Sequence, residues 1–123
     1  MKKELLALAC LLASACIRPS DINRDEAHRL VQRQGALLLD VRSPEEFEER
    51  HPREAVNVPL PELAKRLSEL GAHDRPIVVY CHTGVRASIA KKKLIEAGFS
   101  NVHNLGAIGH WYMEHSETPP SFQ

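Results

Sequence analysis

The sequence predicts an α/β fold, a parallel sheet of about five strands with helices on both faces. Three observations lead there. Two runs, "ALLLDV" (36–41) and "PIVVYC" (76–81), are strongly apolar, as strands buried on both sides must be. Segments with apolar residues at helical spacing alternate with the strand-like runs along the chain. The length, 123 residues, gives room for one domain with a modest core.

Each element has its own local cause. A first helix opens at Asn23, with Glu26 as a capping-box partner, and carries Ala27, Leu30, Val31 and Gln34 before Gly35 stops it. Strand 36–41 follows. "SPEEFEER" (43–50) begins with a cap and a proline at the first helical position, so a short helix is expected. "AVNVP" (55–59) reads as a short strand. Pro61 starts a further helix, with Leu63, Leu67 and Leu70 facing inward and Gly71 at its end. Strand 76–81 comes next. From Arg86 to Ala97, Ala87, Ala90, Leu94 and Ile95 are expected on one helical face, with Gly98 as the stop. "NVHNL" (101–105) is the last strand. The predicted domain spans residues 21–115, and residues 116–123 form a tail that contains two prolines.

Composition excludes some functions. Basic and acidic residues balance at 16 each, which offers no cationic surplus for nucleic acid. No run is apolar for long enough to span a bilayer as a stable helix. The histidines are scattered without ligand spacing, so neither a metal site nor a cofactor is implied.

The N-terminus "MKKELLALACLLASAC" has two lysines, an apolar stretch and a small-residue ending, which is the layout of an export signal over residues 1–15. The ending permits cleavage by ordinary signal peptidase. It also resembles a bacterial lipobox, with Cys16 as the lipidated first residue of the mature chain, although alanine stands where leucine is usual. Residues 16–20 would form a short linker. The expected location is the periplasm, with a lipid tether to the outer membrane. Cys10 leaves with the signal, so Cys81 would be the remaining free thiol. Exported cysteines usually pair, and a lone one is more often reactive than structural.

Ligands of such sheets bind where strands end and helices begin. Two loops lie at that edge, one after Asp40 and one made by "CHTGVR" (81–86). Loop N–H groups and a helix N-terminus can converge on an anion and favour a thiolate at Cys81. Gly84 allows the sharp bend, and His82 and Arg86 add donors and positive charge. Thr83 and Val85 complete the loop. The bland alternative is that Cys81 is a small core residue at a strand end. Arg86 either binds the substrate anion or pairs with Asp40, and both roles suit a guanidinium. Asp40 and Arg42 read as supporting scaffold. His82 either tunes the thiolate or faces solvent. Lys91, Lys92 and Lys93 read as a solvated helix face, and Trp111 as packing at the end of the domain.

The chain resembles the rhodanese family from about residue 22 to 111. "LLLDVRSPEEFEE" resembles its first signature, with Asp40-Val41-Arg42 and then Glu45 to Phe47. "HPREAVNVPL" keeps the frame of the next through Pro52, Ala55, Asn57 and Pro59, with Arg53 and Glu54 replacing the usual pair. "CHTGVRAS" resembles the active-site loop. "GFSNVHNLGAIGHW" resembles the closing segment, with Gly106-Ala107 where two glycines are usual. The resemblance implies a rhodanese-like fold in a single-domain form and a thiosulfate sulfurtransferase. Cys81 would take sulfane sulfur from thiosulfate or another donor and hold it as a persulfide. Cyanide or a thiol would then accept it, with residues 82–86 binding substrate.

Two other functions fit parts of the pattern. A phosphatase or arsenate reductase on the same fold would need a larger loop, because tyrosine-phosphatase-type sites have five residues between cysteine and arginine and this chain has four. A sulfur-carrier or redox-sensing module would use the same loop chemistry without efficient turnover.

Overall fold

The computed structural model describes residues 20–113. The expected export segment, Cys16, nearly all of the linker and the tail lie outside the described residues. Four strands, β1 (Leu37–Asp40), β2 (Ala55–Asn57), β3 (Ile77–Cys81) and β4 (Val102–Ala107), form one parallel sheet in the order β2-β1-β3-β4. This is close to the five or so expected. The helices are α1 (Arg24–Arg33), α2 (Pro44–Glu49), α3 (Val85–Glu96) and the single turn α4 (Gly109–Tyr112). No helix among the described residues is long and apolar enough to cross a membrane.

Strand alternation explains the two apolar runs. Leu37, Leu39, Ile77, Val79 and Cys81 point to one face, where Ala87, Ala90 and Leu94 of α3 cover them together with Leu63 and Leu70. Leu38, Val78 and Tyr80 point to the other, against Ala27 and Leu30 of α1 and Trp111 of α4. Trp111 is buried and stacks on the His28 ring at 3.6 Å.

Several local expectations need correction. Asn23 caps α1 by accepting the Glu26 N–H at 2.9 Å, but the Glu26 carboxylate turns to Arg29 rather than closing a capping box. A reciprocal capping box occurs instead at α2, between Ser43 and Glu46. The helix expected from Pro61 is two short 3₁₀ segments, Leu60–Lys65 and Leu67–Leu70. Its leucine spacing suits a three-residue turn as well as an α-turn, and the Leu60 N–H is tied to the Val41 carbonyl at 3.1 Å. Leu63 and Leu70 are buried, whereas Leu67 is only partly so. On α3 the inward stripe is Ala87, Ala90 and Leu94. Ile95 lies about 100° further round the helix and is 53% exposed.

Strand β4 runs past Leu105 because a bulge absorbs one residue. Val79 pairs with Asn104 and Tyr80 with Gly106. The buried Asn104 side chain accepts the Gly106 N–H at 2.8 Å. Asp21 is fastened to the same strand by two hydrogen bonds to the Asn104 backbone, and its carboxylate also meets Lys91. Lys92 and Lys93 are exposed as expected, but Lys91 is half-buried in this contact.

Candidate active site

From β1 the chain moves outward to β2, then returns past β1 to β3 and continues to β4. The connections leaving β1 and β3 therefore diverge, which opens a crevice at the carboxyl ends of these two strands. The loops singled out in the sequence meet there.

Cys81 is the last residue of β3 and is free, with no exposed surface. Its sulfur accepts a hydrogen bond from the Gly84 N–H at 2.9 Å. Gly84 achieves this with φ +104°, a left-handed conformation that favours glycine, and it serves as the N-cap of α3. The sulfur therefore lies where the loop turns into a helix N-terminus. The Cys81 side chain also packs with the core. His82, Thr83 and Val85 are exposed around it, and Val85 is the first helical residue. The carbonyl of Cys81 accepts the Ile108 N–H at 2.8 Å, which ties the loop after β4 to the same edge.

Arg86 and Asp40 do not pair. Asp40 is wholly buried, and its carboxylate is occupied by the Arg42 N–H at 2.9 Å, the Arg42 guanidinium at 2.7–3.1 Å and the Tyr80 hydroxyl. Arg42 reaches on to the Arg50 carbonyl at 2.6 Å, and Asn57 donates to the carbonyls of both Asp40 and Arg42. Burial works against the Arg42 charge, yet Asp40 outweighs it and the guanidinium holds its proton more tightly than usual. Burial, then the Asp40 contact, pushes the Tyr80 phenol well above its ordinary range. These contacts tie the start of the first loop to β2 and β3.

Arg86 instead makes a two-pronged ion pair with Glu46 of α2, at 2.7 and 2.9 Å. Glu46 is held from its other side by the capping box, its Oε1 accepting the Ser43 N–H at 3.2 Å. The Arg86 hydrogen bonds hold the Glu46 carboxyl far below its usual range, at about 2. Arg86 is raised by Glu46 first and, more weakly, by the charges of Cys81 and Asp40.

Four contributors escaped the sequence reading: Glu46, Tyr80, Ser88 and Asn104. Ser88 donates its hydroxyl to the Gly84 carbonyl at 3.0 Å and accepts from the Asn104 amide at 3.0 Å, linking the sulfur's hydrogen-bond donor to β4. Only Glu46 left a signal, because Ser43-x-x-Glu46 is a capping-box spacing that fixes the carboxylate in place. Among the described residues no three metal-ligating side chains cluster.

The family model described as Rhodanese-like domain matches residues 23–114. The thiosulfate sulfurtransferase GlpE of Coxiella burnetii is 30% identical over 95 residues, covering 76% of this chain and 88% of that one. The thiosulfate sulfurtransferase PspE of Escherichia coli is 35% identical over 71 residues, or 57% of this chain and 68% of that one. A solved structure described as rhodanese with anions from E. coli superposes with a TM-score of 0.60 at 31% identity, over 64% of this chain and 94% of that one. With the sheet order, the cysteine loop and these matches in agreement over nearly all described residues, the chain belongs to the rhodanese family.

Proposed function

We propose that the protein is a thiosulfate sulfurtransferase working through a persulfide on Cys81. The Cys81 thiolate attacks the outer sulfur of thiosulfate. The sulfur–sulfur bond of the donor breaks, and its electron pair leaves with sulfite. Cys81 then carries one extra sulfur as an anionic persulfide. Cyanide or a thiol attacks that terminal sulfur, and the bond's electron pair returns to Cys81 as thiolate. Backbone N–H groups of residues 82–86 and the N-terminus of α3 stabilise the anionic donor and then the terminal sulfur.

The observation that carries this reading is the Gly84 N–H aimed at the Cys81 sulfur at the mouth of α3. The names of GlpE and PspE support the substrate, and the description of the E. coli rhodanese as solved with anions suits an anionic donor. The purified domain should form thiocyanate from thiosulfate and cyanide. Cys81→Ser should abolish this while leaving the unfolding midpoint nearly unchanged. Normal turnover by that variant would show that the nucleophile is another group.

The same proposal includes an exported, lipid-anchored location. Cys16 would bear lipid, and the domain would sit close to the membrane, since the five residue steps from Cys16 to Asp21 reach at most about 18 Å when extended. An unmodified Cys16 in the intact mass of the exported protein would replace this with simple secretion.

A further inference from the structure

The active-site loop places a guanidinium next to the thiol, yet that charge is already matched. Arg86 gives two of its N–H groups to Glu46 at 2.7 and 2.9 Å. The neighbouring Asp40–Arg42 pair is likewise closed on itself. Glu46 cannot easily swing away. It is the third residue of α2, it is tied back to Ser43, and the end of α2 is held through the Arg50 carbonyl by Arg42. Protonation does not release the pair near neutrality, because Arg86 holds the Glu46 carboxyl at about 2.

Thiosulfate brings two negative charges to a thiolate that already has one. The electrostatic cost of a nearby carboxylate rises in proportion to the charge of the arriving ion. We propose that Glu46 is a specificity-determining residue. Its carboxylate, held against Arg86, lowers the affinity of the site for dianionic sulfur donors and shifts its preference toward less charged donors, such as organic thiosulfonates and persulfides. This rests on the sulfurtransferase reading above. Glu46 acts through Arg86 and touches no reacting atom.

The test compares thiosulfate, a dianion, with methanethiosulfonate, which carries one charge and the same transferable sulfur. KM and kcat are measured for both at low ionic strength in the parent, Glu46→Gln and Glu46→Asp. Glutamine keeps an acceptor for the Ser43 N–H, so the cap survives. Glu46→Gln should lower KM for thiosulfate roughly three- to tenfold, lower it less for methanethiosulfonate, and leave kcat nearly unchanged. Glu46→Asp keeps the charge and should stay near the parent. An unchanged or raised KM in Glu46→Gln overturns the proposal. So do equal shifts for the two donors, or an Asp variant that behaves like the Gln variant.

The parent supplies a reading that needs no variant. With its loop cation balanced, its KM for thiosulfate should change less than about twofold between low and high salt. A steep rise would show an unbalanced cation and refute the assignment. A parent that takes sulfur from neither donor sinks the sulfurtransferase reading itself. A parent that turns over while Glu46→Gln leaves KM in place sinks only the role of Glu46.

Discussion

Asp40 has no exposed surface and accepts hydrogen bonds from the Arg42 backbone, from two nitrogens of the Arg42 guanidinium and from the Tyr80 hydroxyl. A buried ion pair loses more when one partner is removed than the pair itself contributes, because the other charge is left without compensation. Asp40→Ala strands Arg42, which is also nearly covered. It should cost about 3–5 kcal/mol, measured as a fall in the urea midpoint. A cost below about 1 kcal/mol, the range of an exposed pair, would show that Arg42 reaches solvent. In the sequence Asp40 and Arg42 stand at the end of a buried strand and read as scaffold rather than catalysts. The sequence did not reveal that Arg42 sits within 5.7 Å of the Tyr80 ring centre. Tyr80 reads in the sequence as one more apolar strand residue, and the partner of its hydroxyl is 40 positions away.

At the scale of elements, the Arg86–Glu46 pair joins α2 to α3 across the crevice, between chain segments that share no local signal. Its pH dependence follows from the depressed carboxyl. Glu46 has an ordinary value of 4.5 and is held at about 2 in the fold. Its contribution to stability is therefore complete above about 4.5 and is lost as pH falls from there through about 2. The difference in melting temperature between the parent and Glu46→Gln should be constant above pH 5 or so and shrink toward pH 2. A difference that stays flat to pH 2 would mean that the pair adds nothing through charge. The elements themselves were legible where burial leaves a strong apolar signal, as in the continuous runs of β1 and β3 and the Ala87–Ala90–Leu94 stripe. They were ambiguous where two periods fit. The steps of three and four between Leu60, Leu63, Leu67 and Leu70 fit an α-helix as well as the two 3₁₀ turns observed, and the tie from Leu60 to the Val41 carbonyl is encoded by no local pattern.

For the whole molecule, the order β2-β1-β3-β4 makes the two loops meet, and that meeting was foreseeable once the apolar runs were taken as central parallel strands. The pairing partner of Arg86 was not foreseeable. The capping-box spacing from Ser43 singles out Glu46 among Glu45, Glu46, Glu48 and Glu49, but nothing local says that α3 brings Arg86 to it. Cys81 stands at the carboxyl edge of the sheet, with its sulfur on the Gly84 N–H, and the proposed persulfide would form there. The most direct measurement is the intact mass of the purified domain after thiosulfate, with small molecules removed and no reductant present. The account predicts a gain of one sulfur atom in the parent, its removal by cyanide, and no gain in Cys81→Ser. A parent whose mass stays unchanged, or a Cys81→Ser variant that gains the sulfur, would contradict it.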